Sequence, residues 1–311
     1  MTDPNPDMTQ RGGVAIVSGA SGLIGSRLVA SLGSSGFAVR RLVRREVRRP
    51  DEIRWDPAAG TIDARALDGA DVIVNLAGEN IGQRWSDDRK RRIRESRVNG
   101  TSVLATTVAS LEHPPRVFYN ASAIGIYGDR GDEVVNEASA HGSDFLASVC
   151  VEWEASTTPA AAAGVRVVIG RNGLVMSRDG GALARMLPFF QLGVGGRVGD
   201  GRQWMSWIAL TDVVRAVLFL LMNDSVRGPV NIVAPNPVEN DEFTQTLGLV
   251  LRRPTVLPVP AFAIRTIFGE MADQTLLTSH RVRPTRLLEL GFEFELSTLE
   301  AALRRELTPK N

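Results

Sequence analysis

An α/β chain with a doubly wound parallel sheet and a second, smaller C-terminal lobe is the fold class this sequence predicts. Three observations lead there. "GVAIVSGASGLIGSRLVASLGSSG" runs from a β-branched apolar strand, through a glycine turn, into a helix that Gly33 and Gly36 stop. "DVIVNLAG" (71–78) is apolar almost throughout, as a strand becomes when both faces of a parallel sheet are covered. Strands then alternate with helices as far as about residue 176, the rhythm of a doubly wound sheet of the Rossmann type.

The elements follow in order. A polar lead-in over residues 1–12, expected to be disordered, precedes the first strand and helix. "FAVRRLVRR" is a second strand and 71–78 the third. Ser86 caps a helix whose first turn holds Asp87 and Asp88, where carboxylates suit the positive end of the dipole; it is expected to continue to about Leu104. "RVFYNASA" is a strand, "DFLASVCVEWEASTTPAAAAG" one helix and "VRVVIGRNGLVM" one strand. "RDGGALARMLPFFQLGVGGRVGDGRQWMSW" is glycine-rich and aromatic with no simple period. "TDVVRAVLFLLMN" is a helix, "GPVNIVAP" a short strand returning to the sheet, and the tail a set of short helices separated by prolines. The expected organisation is a nucleotide-binding domain over 13–175, to which 208–234 return, and a smaller lobe from 176–207 and 235–311.

Composition bounds the partners. The 311 residues are 43% hydrophobic and 23% charged, with a net charge of +1 and a mean hydropathy of -0.03. That balance suits one large domain or one with a smaller lobe, and gives no reason to expect nucleic acid or an anionic membrane as partner. Only Lys90 and Lys310 are lysines among 36 basic residues. The single cysteine, Cys150, excludes an intrachain disulfide and fits a reducing compartment. "MTDPNPDMTQRGG" lacks the apolar core of a signal peptide, and the apolar stretch near 216–222 is far too short to cross a bilayer, so a cytoplasmic location is expected.

The glycine loop carries the first chemistry. "SGASGLIG" places Gly19, Gly22 and Gly25 between a strand and a helix. One glycine permits the tight turn, one lets backbone approach a pyrophosphate, and one allows close helix–strand packing. The phosphates then meet free N–H groups at the helix N-terminus, so Ser21, Leu23 and Ile24 join the expected cofactor contacts. Folds of this kind that bind NAD place an acidic residue at the end of the second strand. Here Val43 holds that place, followed by Arg44 and Arg45, which can bind a 2′-phosphate with charge-assisted bonds. The expected cofactor is therefore NADP(H).

With "NLAG" (75–78), "NGT" (99–101) and "IYG" (126–128) following that loop, the chain resembles the extended short-chain dehydrogenase/reductases. More closely it resembles their atypical, sugar-nucleotide epimerase-like branch, which ends in a small domain of undefined role. The likeness runs through "RWSDDRKRRIRESRVNGT", "SAIGIYGDRGDE", "GGALARMLPFF", "GRQWMSWI" and "RPTRLLELGF". It implies cofactor contacts at Leu76, Ala77, Gly78, Asn99 and Ala121. Ordinary members use Tyr-x-x-x-Lys, the tyrosine moving a proton and the lysine lowering its pKa and holding the nicotinamide ribose. Four residues after Tyr119 stands Ala123, and four after Tyr127 stands Gly131. The helix expected to carry the pair has Phe145, Leu146, Val149 and Cys150 at the relevant places. The dyad is absent from the sequence.

Ser122 occupies the place of the superfamily's catalytic serine or its neighbour, and is expected to orient a substrate oxygen. Tyr127 and Glu79 are the candidate proton donors, Tyr127 alternatively a packing residue and Glu79 alternatively a cap. Cys150 reads as a small buried hydrophobe. "RKRRIRESR" reads as a solvated helix face. Arg202, Trp204 and Trp207 form either a substrate wall, guanidinium for an anionic group and indole for a planar one, or packing between lobes. His113, His141 and His280 are scattered, so no metal is expected. The reaction classes open are an oxidoreductase on a small molecule, an epimerase or dehydratase of nucleotide-linked sugars, and a non-catalytic NADP(H) sensor. A homodimer is the open option for assembly.

Overall fold

A computed structural model describes residues 12–308; nearly all of the polar lead-in, and Lys310, lie outside the described residues. The first strand β1 (Val14–Ser18) feeds α1 (Leu23–Ser34) and β2 (Ala38–Val43). Next come β3 (Glu52–Asp56), β4 (Thr61–Ile62) and β5 (Val72–Asn75), then α2 (Asp87–Ala109), β6 (Val117–Ala123) and β7 (Val134–Val135). Two helices, α3 (Phe145–Ala155) and α4 (Thr158–Ala162), precede β8 (Arg166–Asn172) and β9 (Leu174–Met176). The remainder is α5 (Gly181–Gln191), β10 (Trp204–Met205), β11 (Trp207–Ala209), α6 (Leu210–Met222), β12 (Gly228–Ile232) and β13 (Val238–Glu239). It closes with α7 (Asn240–Leu251), α8 (Ala261–Phe268), β14 (Arg281–Val282), α9 (Thr285–Glu289) and α10 (Leu299–Leu307).

The central sheet has the order β12-β8-β6-β5-β1-β2-β3-β4, parallel except where β4 pairs antiparallel with β3. Helices α1 and α6 cover one face through Leu28, Leu32, Val213, Val217 and Leu220. Leu104, Val108 and Ala160 of α2 and α4 cover the other. A further core joins α5, β11, α7 and α10 through Leu187, Trp207, Phe243 and Leu303. The expected doubly wound sheet with a smaller C-terminal region is what the chain forms. Because β2 lies on one side of β1 and β5 on the other, the strand order reverses between β1 and β5, and ligands of such sheets bind at the carboxyl ends there.

Several element boundaries differ from the sequence reading, each for a local reason. "EIRWD" forms β3 between β2 and the short edge strand β4, where Trp55 packs into the core. The expected helix over "DFLASVCVEWEASTTPAAAAG" is two, α3 ending at Ala155 and Pro159 opening α4. "VRVVIGRNGLVM" breaks at Gly173, where a Cβ would press on the Ser206 carbonyl and Val233. Its second part, β9, leaves the main sheet to pair with β11. α2 runs past Leu104 to Ala109, and the segment without a simple period contains α5, with Pro188 inside it.

Candidate functional site

The glycine loop has the geometry its spacing requires. Gly19 takes φ +67°, and a Cβ there would come within 2.7 Å of the Leu76 carbonyl carbon. The ends of β1 and β5 can meet only because this residue has no side chain. Gly25 is buried, and a Cβ on it would lie 2.9 Å from the Ala20 Cα, so it sets the approach of α1 to the loop. Gly22 precedes α1 in extended conformation, and no side chain caps the helix. Ser21 and Gly22 are exposed, Leu23 and Ile24 half-buried. The first-turn N–H groups thus face the switch point without a side-chain partner. A diphosphate fits such a cradle.

Below the loop the strand ends are locked by buried polar groups. Ser18 donates to Asn75 Oδ1 at 2.5 Å and accepts from the amides of Leu76 and Ala77. Asn75 donates to Thr101 Oγ1 and Asn120 Oδ1. Thr101 donates to Asn120 and accepts from Trp153 Nε1 at 2.9 Å. This network spans five elements, β1, β5, α2, β6 and α3, and holds "NLAG" in register with the glycine loop. Sequence reading singled out Asn99 from "NGT"; Asn99 is exposed on α2, and the buried member is Thr101.

The two arginines after β2 separate. Arg45 makes a bidentate pair with Glu52, at 2.6 and 2.9 Å, which pulls the Glu52 carboxyl down to about 2. This pairing ties it to β3, whereas the sequence reading placed it on the cofactor. Arg44 is exposed and makes no hydrogen bond or ion pair among the described residues. Of the two, it alone leaves its guanidinium without a protein partner among the described residues.

The catalytic candidates are rearranged more strongly. Ser122 is 2% exposed and donates to Glu154 Oε1 at 2.6 Å. Glu154 in turn takes two bonds of 2.8 Å from Arg171. Arg171 reaches Tyr127 Oη at 3.0 Å, and Tyr127 donates to Asn231 at 2.7 Å. Strand alternation explains it: Asn120 and Ser122 point to one face of β6, Ala121 and Ala123 to the other. Tyr127 is fully buried, and burial, partly offset by Arg171, raises its pKa. Both hydroxyls therefore lie in an internal hydrogen-bonded chain: Ser122 is turned from the substrate-facing place expected of it, and Tyr127 takes the packing alternative rather than that of a proton donor. Sequence reading missed Glu154 and Arg171; α3 also holds Glu152 and β8 also Arg166, so nothing local marked these two as a pair. Burial costs Arg171 charge, but Glu154 more than offsets it and the pKa rises.

Glu79 remains accessible. Its carboxylate pairs with Arg89 at 3.1 Å, its amide donates to Ser96 Oγ and its carbonyl accepts from Arg97. Cys150 is buried against Ala123, and burial pushes its thiol up to about 12. Trp207 is fully buried in the lobe core with its indole N–H on the Asn236 carbonyl, which removes it from any substrate wall. Trp204 is half-buried, bonded to Asp132 at 3.0 Å and stacked under Arg281 at 4.1 Å. Arg202 is exposed, with a side chain that bonds nothing among the described residues. Ala121 is buried. No cluster of three or more metal-ligating side chains occurs among the described residues, nor any helix long and apolar enough to cross a membrane.

A parallel sheet with a glycine-cradled, uncapped helix N-terminus at its switch point defines an epimerase-like α/β protein of the extended short-chain dehydrogenase/reductase type. The chain belongs to the NAD dependent epimerase/dehydratase family, whose model matches residues 15–233; a domain of unknown function, DUF1731, matches 259–306. An epimerase family protein of Mycobacterium leprae is 44% identical over 94% of this chain and 95% of its own. A homologue from Arabidopsis thaliana, named epimerase family protein SDR39U1 homolog, chloroplastic, is 41% identical over 93% of this chain and 85% of its own. The human epimerase family protein SDR39U1, crystallised with NADPH, superposes with a TM-score of 0.86 at 31% identity over 94% of this chain and 98% of that one. A nucleoside-diphosphate sugar epimerase of Corynebacterium glutamicum gives 0.79 at 38% identity, over 96% of this chain and 58% of that one.

Proposed function

We propose that this protein is an NADP(H)-dependent oxidoreductase acting on a small molecule in the crevice at the carboxyl ends of β1, β5 and β6. The observation that carries the reading is the phosphate cradle at the switch point with an unpaired Arg44 beside the end of β2. The human relative crystallised with NADPH supports the same cofactor. Bound there, NADP(H) supplies the hydride or accepts it. The glycine loop binds the diphosphate, Arg44 the 2′-phosphate, and Leu76–Gly78 form the wall beside them. A tyrosine is not the proton donor in this reading, which the burial of both tyrosines supports; where the resemblance places the dyad, α3 carries Phe145, Leu146, Val149 and Cys150. Of Ser122, Tyr127 and Glu79, Glu79 is the one whose side chain keeps access to solvent.

The test is direct. NADPH is titrated by its fluorescence, and loss of absorbance at 340 nm is then followed with a panel of carbonyl and enone compounds. Consumption above the buffer rate supports an oxidoreductase; Glu79→Gln should slow it with NADPH affinity retained. A nucleotide-linked sugar enters the same panel, since the Corynebacterium relative is named a nucleoside-diphosphate sugar epimerase. A second reading, a sensor that binds NADP(H) without turnover, draws on one observation: Ser122 and Tyr127 are both tied into the Glu154–Arg171 relay. Micromolar NADPH binding with no turnover on any compound would favour it.

A further inference from the structure

Helix α2 carries a cation that the reading above leaves without a task. Arg97 is half-buried and forms no ion pair among the described residues. Its Nη1 donates to the Ile93 carbonyl at 3.1 Å and its Nη2 to the Glu79 carbonyl at 3.0 Å. A guanidinium has five N–H donors, so three remain. The nearest carboxylate, Glu79, pairs with Arg89 instead. Burial lowers the Arg97 pKa, with the neighbouring Cys150 and Glu79 acting the other way. An arginine held in this way keeps both charge and donors available.

Its position follows from the fold. Side chains of a helix lean toward its N-terminus, and the N-terminus of α2 follows the carboxyl end of β5. Arg97 therefore points back toward the strand ends. A Cβ on Gly78, the last residue of "NLAG", would stand 3.3 Å from the Arg97 guanidinium carbon. The guanidinium also lies 5.2 Å from the centre of the Trp153 ring, which fixes its plane. One turn earlier on the same helix as Trp153 is Cys150, close enough to Arg97 to influence its charge and packed against Ala123 at the end of β6. Cys150 stands four residues after Leu146 on α3, the helix on which the resemblance places the superfamily's tyrosine and lysine. A lysine there would extend its ammonium toward the strand ends from α3; Arg97 brings a cation to the same place from α2.

We propose that Arg97 substitutes for the missing lysine as the positioning residue for the nicotinamide half of NADP(H), donating to the hydroxyls of the ribose that carries the nicotinamide. The assignment rests on the cofactor reading above. It divides the site into two: the glycine loop and Arg44 hold the adenosine-phosphate half, and Arg97 holds the other.

Two probes separate the halves: NADPH, and adenosine 2′,5′-bisphosphate, which lacks the nicotinamide riboside. Their affinities are measured by calorimetry on wild type, Arg97→Ala and Arg97→Lys, with thermal unfolding of each. One or two hydrogen bonds to a neutral hydroxyl predict an NADPH loss of about 5- to 50-fold in Arg97→Ala. The bisphosphate affinity should stay within about twofold, and Arg97→Lys should recover part of the loss. An equal loss for both probes would make Arg97 a structural support and overturn the proposal, as would unchanged NADPH affinity in Arg97→Ala. Wild type binding neither probe would instead sink the cofactor reading on which the proposal stands.

Discussion

Ser122 and Glu154 meet across the interface of β6 and α3 at 2.6 Å, with the serine donating and the carboxylate held from its other side by Arg171. A serine at the end of a central strand is thereby turned into the interior. Its hydroxyl proton is already committed, and it stands on the opposite face of β6 from Ala121.

The two residues should therefore behave as structural partners. Ser122→Ala removes one donor from a carboxylate still paired with Arg171, and is expected to cost about 1–3 kcal/mol in urea unfolding. Glu154→Gln leaves the Arg171 guanidinium, 3% exposed, with an uncompensated buried charge, at about 3–5 kcal/mol. NADPH affinity of Ser122→Ala should match wild type. A large loss of turnover in that variant with full stability would return Ser122 to the reacting centre.

Gly22 and Gly25 of the loop should part company on substitution. Gly22 has φ -75°, open to any residue, so Gly22→Val is expected to keep the fold and abolish NADPH binding by filling the diphosphate space. Gly25→Val should lower the melting temperature outright, because its Cβ collides with the loop backbone. NADPH affinity and thermal unfolding, taken together, check both; wild-type affinity in Gly22→Val would mean that the phosphates bind elsewhere.

Arg44 and Arg45 offer a similar contrast. Arg44→Ala should weaken NADPH by about 10- to 100-fold and leave NADH nearly unchanged, the size of a hydrogen bond to a charged group. Arg45→Ala should lower stability, since it strips the partner from Glu52, with little change in the preference between the two cofactors. Equal losses of NADPH and NADH in Arg44→Ala would assign Arg44 a structural role.

Acid sensitivity should show two windows. Burial depresses the His280 pKa to about 4 from an ordinary 6.5, and its Nε2 has no hydrogen-bond partner. The unfolded chain then takes the proton first, so stability is full above about 6.5 and falls as pH drops toward 4. Glu52, held near 2 by Arg45, contributes stability above its ordinary 4.5 that is lost between 4.5 and 2. Melting temperature against pH should fall less between 6.5 and 4.5 in His280→Gln than in wild type. Parallel curves over that window would remove His280 as the cause.

The sequence by itself determined the parts whose physics is local. Gly19, Gly22 and Gly25 after an apolar strand specify the turn, the uncapped helix and the close packing without help from distant residues. Ser86 with Asp87 and Asp88 specifies where α2 begins; its Oγ accepts from the Arg89 amide in the structure. The alternation of strands and helices specifies the sheet. The tertiary structure decided everything that depends on which face a side chain takes or on what crosses the sheet. β6 is buried on both faces, so its apolar pattern carries no sign of direction, and only the pairing of Ser122 with Arg171 in the ladder and the docking of α3 turn the serine inward. Trp204 and Trp207 lie three residues apart in one glycine-rich stretch; β10 leaves the first half-buried at a lobe boundary and β11 buries the second in a core. Arg44 and Arg45 are adjacent and chemically identical, and they differ only because β3, absent from the sequence reading, brings Glu52 to one of them. Long-range contacts of this kind leave no local trace, because an ion pair or a strand face is set by a partner that the chain meets only after it has folded.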